Sequence, residues 1–271
     1  MRVKFFLIAA LLSLQFISCQ KNAITGRRGL DLIPESEMIG MSLTEYDTFL
    51  KEHKPLPAGD VRVDLVRKVG TGIQKAVEKY YADKGLSKQL DGFKWEFNVV
   101  DEATVNAWCM PGGKVVVYTG LLPVTKDEPS LAVVMGHEIA HAIARHGNER
   151  MSQGLLVQFG GAALSVAMST KPQVTQQLFQ QAYGLSTGLG VLKYSRTHES
   201  EADHMGIIFA AMAGYDPTVA ISFWQRMAES SAGSQKPPEL LSTHPSDETR
   251  INDMKGFLKD AIPYYEKSKK Q

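Results

Sequence analysis

The residues most able to do chemistry in this 271-residue chain are His137-Glu138-Ile139-Ala140-His141. On a helix, positions i and i+4 lie only about 40° apart, so both imidazoles reach one point in space. Glu138 sits one step round, beside that point. Two histidines of this spacing suit a zinc ion, and the carboxylate suits a general base acting on water; the chemistry is metal-assisted hydrolysis of a peptide bond. A five-residue pattern also arises by chance, so the surrounding sequence has to decide.

Those surroundings predict a helix. Asp127 is a candidate N-cap, Glu128 falls in the acid-preferring first turn, and Pro129 stands where a missing N–H does no harm. Leu131, Val134, Met135, Ile139 and Ala142 give a helical apolar stripe. Gly147, after Arg145 and His146, predicts an end or bend about a turn past His141.

A catalytic zinc takes three protein ligands and keeps one position open. Residues 196–206 offer two glutamates. On one helix Glu199 and Glu201 point about 200° apart, so only one faces the metal. Glu199 shares its face with Asp203 at i+4 and Gly206 at i+7. That face combines a ligand carboxylate, a second carboxylate to accept an N–H from a ligand histidine, and a glycine for close helix approach. Glu199 is therefore the expected third ligand, with one zinc ion per chain, and Glu201 is expected to be a solvated charge. His146 and His198 are read as out of phase, since five residues from His141 is about 140° round a helix. His53 and His204 are read as surface residues.

These residues resemble the HtpX-like and CAAX-prenyl-protease-like zinc metallopeptidases, whose pattern is H-E-x-x-H followed by E-x-x-x-D. The resemblance extends to Asn106-Ala107 with Pro111-Gly112-Gly113, Tyr118-Thr119-Gly120-Leu121, Gly214-Tyr215-Asp216-Pro217 and Ser242-Thr243-His244-Pro245-Ser246, which look like the small periplasmic BepA-like branch. It covers residues 22–260. It implies an α+β, mostly helical, zincin-like (gluzincin) domain, with Glu199 on zinc and Asp203 in a supporting catalytic role. It also places the His244 loop over the active site. His244 then either occupies the open zinc position at rest or stabilises the oxyanion; without the resemblance it is a loop histidine with no role. Arg250 either steadies developing charge or pairs with Asp247 or Glu248.

The elements that must position this chemistry follow from patterning. The spacing Leu65, Val69, Ile73, Val77, Tyr80 predicts an amphipathic helix capped by Asp60 and closed by Gly85. Phe93, Trp95, Phe97 and Val99 alternate with polar residues as a half-buried strand. Two more strands, at 104–109 and 114–119, are joined by a Pro-Gly-Gly turn, which predicts a small antiparallel sheet beside the metal helix. Asn106 and Ala107 would lie on an edge strand to which an extended peptide could add; the alternative is an ordinary hairpin. Residues 154–169 are apolar but too short to span a bilayer, and a core or membrane-surface helix is expected. Residues 172–193 read as a Gln-rich helical return, with mobility expected at Gly184, Gly188 and Gly190.

The N-terminus forms its own unit. Arg2 and Lys4 precede an apolar run at 5–14 and then Phe16-Ile17-Ser18-Cys19, a signal-peptide pattern with the ending of a bacterial lipobox. The expected organisation is a signal peptide at 1–18, a tether and irregular segment at 19–59 holding at most one short helix, and a metallopeptidase domain at 60–271. Cys19 would carry the lipid, and Gln20 points to the periplasmic face of the outer membrane. The alternative is an ordinary secreted protein with an incidental cysteine. With Cys109 the only other cysteine, a disulfide-stapled fold is not expected.

A net charge of +1 without a basic block argues against nucleic-acid binding. The expected function is a lipid-tethered envelope endopeptidase acting on unfolded or misassembled proteins, a minimal version without the membrane helices or C-terminal repeats of its look-alikes. The rival is a periplasmic chaperone or assembly factor whose zinc site is latent and gated by His244.

Overall fold

The computed structural model describes residues 21–167, 172–183, 194–231, 238–244 and 248–270. Residues 1–20, where the signal peptide and Cys19 lipid site are expected, Asp247 and the glycines at 184, 188 and 190 lie outside them. Helices α1 (Glu35–Glu52) and α2 (Val61–Asp83) precede strands β1 (Glu96–Val100), β2 (Ala107–Met110) and β3 (Lys114–Tyr118). A short α3 (Leu122–Thr125) leads into α4 (Glu128–Ile143), then α5 (His146–Phe159), α6 (Ala163–Ala167) and α7 (Pro172–Ala182). The chain continues with α8 (Arg196–Met212), α9 (Val219–Ser231), α10 (Glu239–Thr243) and α11 (Glu248–Ser268). The fold is α+β and mostly helical, with a small sheet beside the helix that carries His137 and His141.

Helix α4 starts as its sequence asks. The Asp127 carboxylate accepts the Ser130 N–H at 2.8 Å, satisfying one of the unpaired first-turn donors. All residues from Ser130 to Ile143 are buried, because α2, β2, α8 and α9 pack around the helix rather than along one stripe. Asp60 caps α2 in the same way, and Val69, Ile73, Val77 and Tyr80 bury its inner face.

The sheet order is β1-β3-β2. β2 and β3 form the expected antiparallel hairpin, turned by Gly112 and Gly113, each at φ +82°, a region glycine enters without strain. The expectation of an antiparallel sheet needs one correction: β1 runs parallel to β3, with Phe97 opposite Val115. Alternation specifies which face of a strand is buried, not the direction of its neighbour. Because β1 takes one side of β3, β2 is left as an edge strand beside α4.

The two faces of the sheet bury separate clusters. Phe97, Val99, Val115 and Val117 join α2, α4 and α8 in the main core. Val100, Val116 and Tyr118 pack on the opposite face with Leu32, Ile33, Met38, Tyr46 and Phe49, and with Met151, Leu155, Leu178 and Phe179. Residues 21–59 therefore differ from the irregular tether expected of them, since α1 and the segment before it cover one face of the sheet. The apolar run at 154–169 is not a single helix: Gly160, at φ +53°, ends α5, and Leu156 and Val157 are exposed. Among the described residues no helix is long and apolar enough to cross a membrane.

Candidate metal centre

Two helices build the centre by crossing at a pair of glycines. A Cβ at Gly206 of α8 would lie 2.7 Å from the His137 amide nitrogen, and one at Gly136 of α4 would lie 2.7 Å from the Gly206 carbonyl oxygen. Only glycine at both positions lets the backbones come this close. The contact brings Glu199 of α8 to the face of α4 that carries both histidines.

His137 Nε2 and His141 Nε2 are 3.0 Å apart. His244, just past α10, brings its Nδ1 to 3.1 Å from His137 Nε2 and 2.9 Å from Glu199 Oε1. The Glu199 oxygens lie 3.5 Å from each of the two Nε2 atoms. These four donor atoms all fall within 4.8 Å of one another, and all four residues are buried. Ligands about 2.0–2.1 Å from a tetrahedral zinc are separated by about 3.3 Å, so the set fits a divalent ion. Lone pairs crowded this closely repel one another unless a cation or a proton lies between them, and the cluster could hold a metal ion.

The electrostatics agree with that reading. Burial works against a charged His137, but the hydrogen bond and charge of Asp203 outweigh it and raise its pKa to about 9. In the absence of a metal the cluster therefore favours a positive charge at its centre. Burial, with His137, His146 and His244 nearby, holds His141 well below its ordinary value, leaving it neutral and able to ligate. Burial opposes ionisation of Glu199, but the His244 and His137 imidazoles drive its pKa well down. Glu138 is raised by burial, as a general base at neutral pH requires, and its Oε1 is buried without a hydrogen-bond partner among the described residues, 3.7 Å from His244 Nε2.

Asp203 and Arg250 form the support behind His137. Asp203 Oδ1 lies 2.9 Å from His137 Nδ1. Arg250 grips the same carboxylate with Nε and Nη2 at 2.6 and 2.8 Å, and its Nη1 donates to the His244 carbonyl at 3.2 Å. Its guanidinium lies 3.7 Å above the Trp224 ring, and that ring meets His137 edge-on. Arg250 thus pairs with Asp203, a partner not among those expected of it. Asn106 and Ala107 sit at the start of β2, where Asn106 Oδ1 accepts the Ala107 N–H at 2.9 Å, and Leu240 donates to the Val105 carbonyl at 3.2 Å.

Two sequence expectations are overturned nearby. Glu201 is not a solvated charge: it is buried, accepts from Arg27 Nε at 2.5 Å and Thr25 Oγ1, and lies 3.0 Å from His146 Nε2. His146 is fully buried with its Nδ1 2.9 Å from His141 Nδ1. The helix does not run on to His146, because Arg145 takes a left-handed φ of 58°, ends α4 and starts α5. The turn swings His146 back under His141, so the 100°-per-residue rule fails. His198 is buried too, stacked on His146 and paired with Glu149 at 3.2 Å. His53 and His204 are only partly buried and pair with Glu102 and Asp260. Tyr194 was not anticipated; its ring centre lies 3.8 Å from that of His141 and its face is covered by Arg150. A third histidine following His-Glu-x-x-His by five residues, just before a glycine, is the sequence signal that marks His146.

The profile of peptidase family M48 matches residues 69–257. The mitochondrial metalloendopeptidase OMA1 of Schizosaccharomyces pombe is 33% identical over 221 residues, covering 74% of this chain and 64% of that protein. The mitochondrial metalloendopeptidase OMA1 of Bos taurus is 34% identical over 254 residues, covering 91% of this chain and 47% of that protein. The beta-barrel assembly-enhancing protease of Yersinia pestis is 30% identical over 179 residues, covering 63% and 36%. The chain thus spans less than two thirds of the length of each of these relatives.

Proposed function

The chain belongs to peptidase family M48, and from that premise we propose that it is a zinc-dependent endopeptidase of unfolded or misassembled bacterial envelope proteins, tethered through a lipid on Cys19. The observation that carries the peptidase reading is the convergence of His137, His141, Glu199 and His244 on one point, with the buried Glu138 Oε1, which has no hydrogen-bond partner among the described residues, beside them.

Zinc bound there supplies Lewis acidity toward water and a peptide carbonyl. Glu138 takes the proton of the attacking water and returns it to the leaving amine, a role suited to a carboxylate whose burial raises its pKa. Asp203 orients His137 through Nδ1, and Arg250 holds Asp203. The edge of β2, entered past Asn106 and Ala107, receives an extended chain through backbone hydrogen bonds. Such reading is tolerant of side chains, which suits unfolded substrates.

A second reading draws on His244. Its Nδ1 completes a four-donor set, and a site closed by four protein ligands has no position for water. This supports a latent form that opens when His244 leaves, or a chaperone or assembly factor whose metal site stays shut. The envelope location rests on residues 1–19 and on the likeness to beta-barrel assembly-enhancing proteases; the relatives named as mitochondrial do not share it.

The deciding experiment measures zinc content and casein cleavage of the purified protein beside Glu138→Gln. Stoichiometric zinc with cleavage abolished in Glu138→Gln is expected. Unchanged cleavage in that variant overturns the mechanism, and zinc without any cleavage by the parent shifts the reading to the chaperone. Fatty-acid labelling that persists in Cys19→Ala overturns the tether.

A further inference from the structure

The two histidines of α4 are supported differently. His137 Nδ1 meets a carboxylate directly, at 2.9 Å from Asp203. His141 Nδ1 meets another imidazole, His146 Nδ1 at 2.9 Å, and the far nitrogen of that ring lies 3.0 Å from Glu201 Oε2. Proton counting permits one arrangement of this chain when His141 Nε2 ligates a cation. His141 must carry its proton on Nδ1; His146 must accept it on Nδ1 and so carry its own proton on Nε2; that proton is donated to Glu201. Each atom then has the role its neighbour needs.

We propose that Glu201, acting through His146, is the positioning carboxylate for His141, and that Arg27 and Thr25 make the segment before α1 part of the support of the metal centre. This inference rests on the metal-site reading above. Three observations carry it. The rings are fixed: His146 has no exposed surface, and it is stacked on His198 with centroids 4.5 Å apart. The backbone is bent to place it, since Arg145 holds a left-handed φ of 58° and its side chain is anchored 3.1 Å from Glu35. Such a conformation is strained for a non-glycine residue and persists only where the surroundings enforce it.

The third observation is how Glu201 itself is held. Arg27 Nε reaches Glu201 at 2.5 Å while Nη2 of the same side chain reaches Glu149 at 2.8 Å, and Glu149 in turn meets His198. Thr25 donates to the other Glu201 oxygen. Glu199, Glu201 and Asp203 thus divide three tasks along one helix: ligand, support for His141 through His146, and direct support for His137. Thr25 and Arg27 lie well before residue 69, where the family match begins.

The experiment is zinc affinity of the purified full-length protein, measured by competition with a chromophoric chelator, for the parent, Glu201→Gln, His146→Phe, the double variant, and Asp260→Asn as a control that breaks the His204 pair of α8 without touching His141 or its support. Loss of a supporting group behind a ligand histidine weakens metal binding by about 10- to 100-fold. That loss is expected for Glu201→Gln and for His146→Phe. The double variant is expected to be hardly weaker than the worse single, because groups acting in series do not add. Asp260→Asn is expected to stay close to the parent. Parent-like affinity in both His146→Phe and Glu201→Gln, or an equal loss in Asp260→Asn, overturns the proposal.

Histidine 15N NMR of the zinc-loaded parent decides the matter even if a variant fails to fold. The Nε2–H tautomer at His146 is expected, and an Nδ1–H tautomer overturns the relay. A parent that binds no zinc at all is the separate failure of the metal-site reading.

Discussion

Gly206 of α8 and the His137 backbone of α4 touch so closely that a Cβ on Gly206 would stand 2.7 Å from the His137 amide nitrogen. The partner is main chain inside a helix and cannot swing aside, so Gly206→Ala must push the helices apart and carry Glu199 away from the histidines. A loss of about 1–3 kcal/mol in stability is expected from overpacking, together with weaker zinc binding. Gly256→Ala is the contrast: nothing lies within 4 Å of its added methyl in α11, and a gain of about 0.4–1 kcal/mol is expected. Urea unfolding of both variants, with zinc competition for the first, checks the pair.

That glycine was legible because Gly206 shares a helical face with Glu199 and Asp203, and regular periodicity is what sequence carries best. The same rotation rule misplaced His146, since it holds only along an unbroken helix. The break is one left-handed Arg145 held by Asp31 and Glu35, residues distant in sequence. It misjudged Glu201 for a related reason. Rotation put Glu201 opposite Glu199, but both sides of α8 are covered there, one by α4 and the other by the segment holding Thr25 and Arg27. The direction of β1 was hidden because pairing is a tertiary choice that alternation does not encode.

Arg250 is buried between Asp203, Glu199, the His244 carbonyl and the Trp224 ring. Its removal leaves Asp203 buried without its guanidinium. Arg250→Met is therefore expected to destabilise the metal-free protein by about 3–5 kcal/mol, the cost of breaking a buried pair from one side. Arg250→Lys cannot reproduce the two-pronged grip on Asp203 and is expected to recover only part of the loss. Asp203→Asn in the Arg250→Met background should restore stability toward the parent, because no carboxylate is then stranded at that position. Urea midpoints of the four proteins test this; no recovery in the double variant would argue that Arg250 acts through packing on Trp224 alone.

The Glu201 network makes stability fall in acid. Burial disfavours the Glu201 carboxylate, but hydrogen bonds from His146, Thr25 and Arg27 bring its pKa down to about 2. With a depressed folded-state value, its contribution is full above the ordinary glutamate range and is lost as pH falls toward 2. Burial also lowers His146 to about 4, so below its ordinary value each step down in pH favours the unfolded chain, where that ring is free to charge. The two effects have the same sign. A single group depressed this far contributes about 3 kcal/mol at neutral pH. Melting temperature of the metal-free protein should drop steadily below about pH 6.5, and Glu201→Gln should start lower at neutral pH and show a shallower slope. A parallel pair of curves would remove Glu201 from the acid response.

His244 differs from the other three donors in its place on the chain. His137, His141 and Glu199 project from two helices packed at a glycine contact, whereas His244 follows a single short turn of helix and is tied by Arg250 at its carbonyl and by Glu199 at its ring. Of the four it is the donor whose departure leaves the others in place. His244→Ala should therefore keep zinc, since three protein ligands suffice for a catalytic site, and should open the fourth position beside Glu138 to water. Casein cleavage per bound zinc is expected to rise. The opposite outcome, zinc retained with cleavage lost, would mean that the imidazole acts on the oxyanion during turnover instead of closing the site at rest. Measuring cleavage against bound metal, rather than against protein, separates both results from a simple loss of the ion.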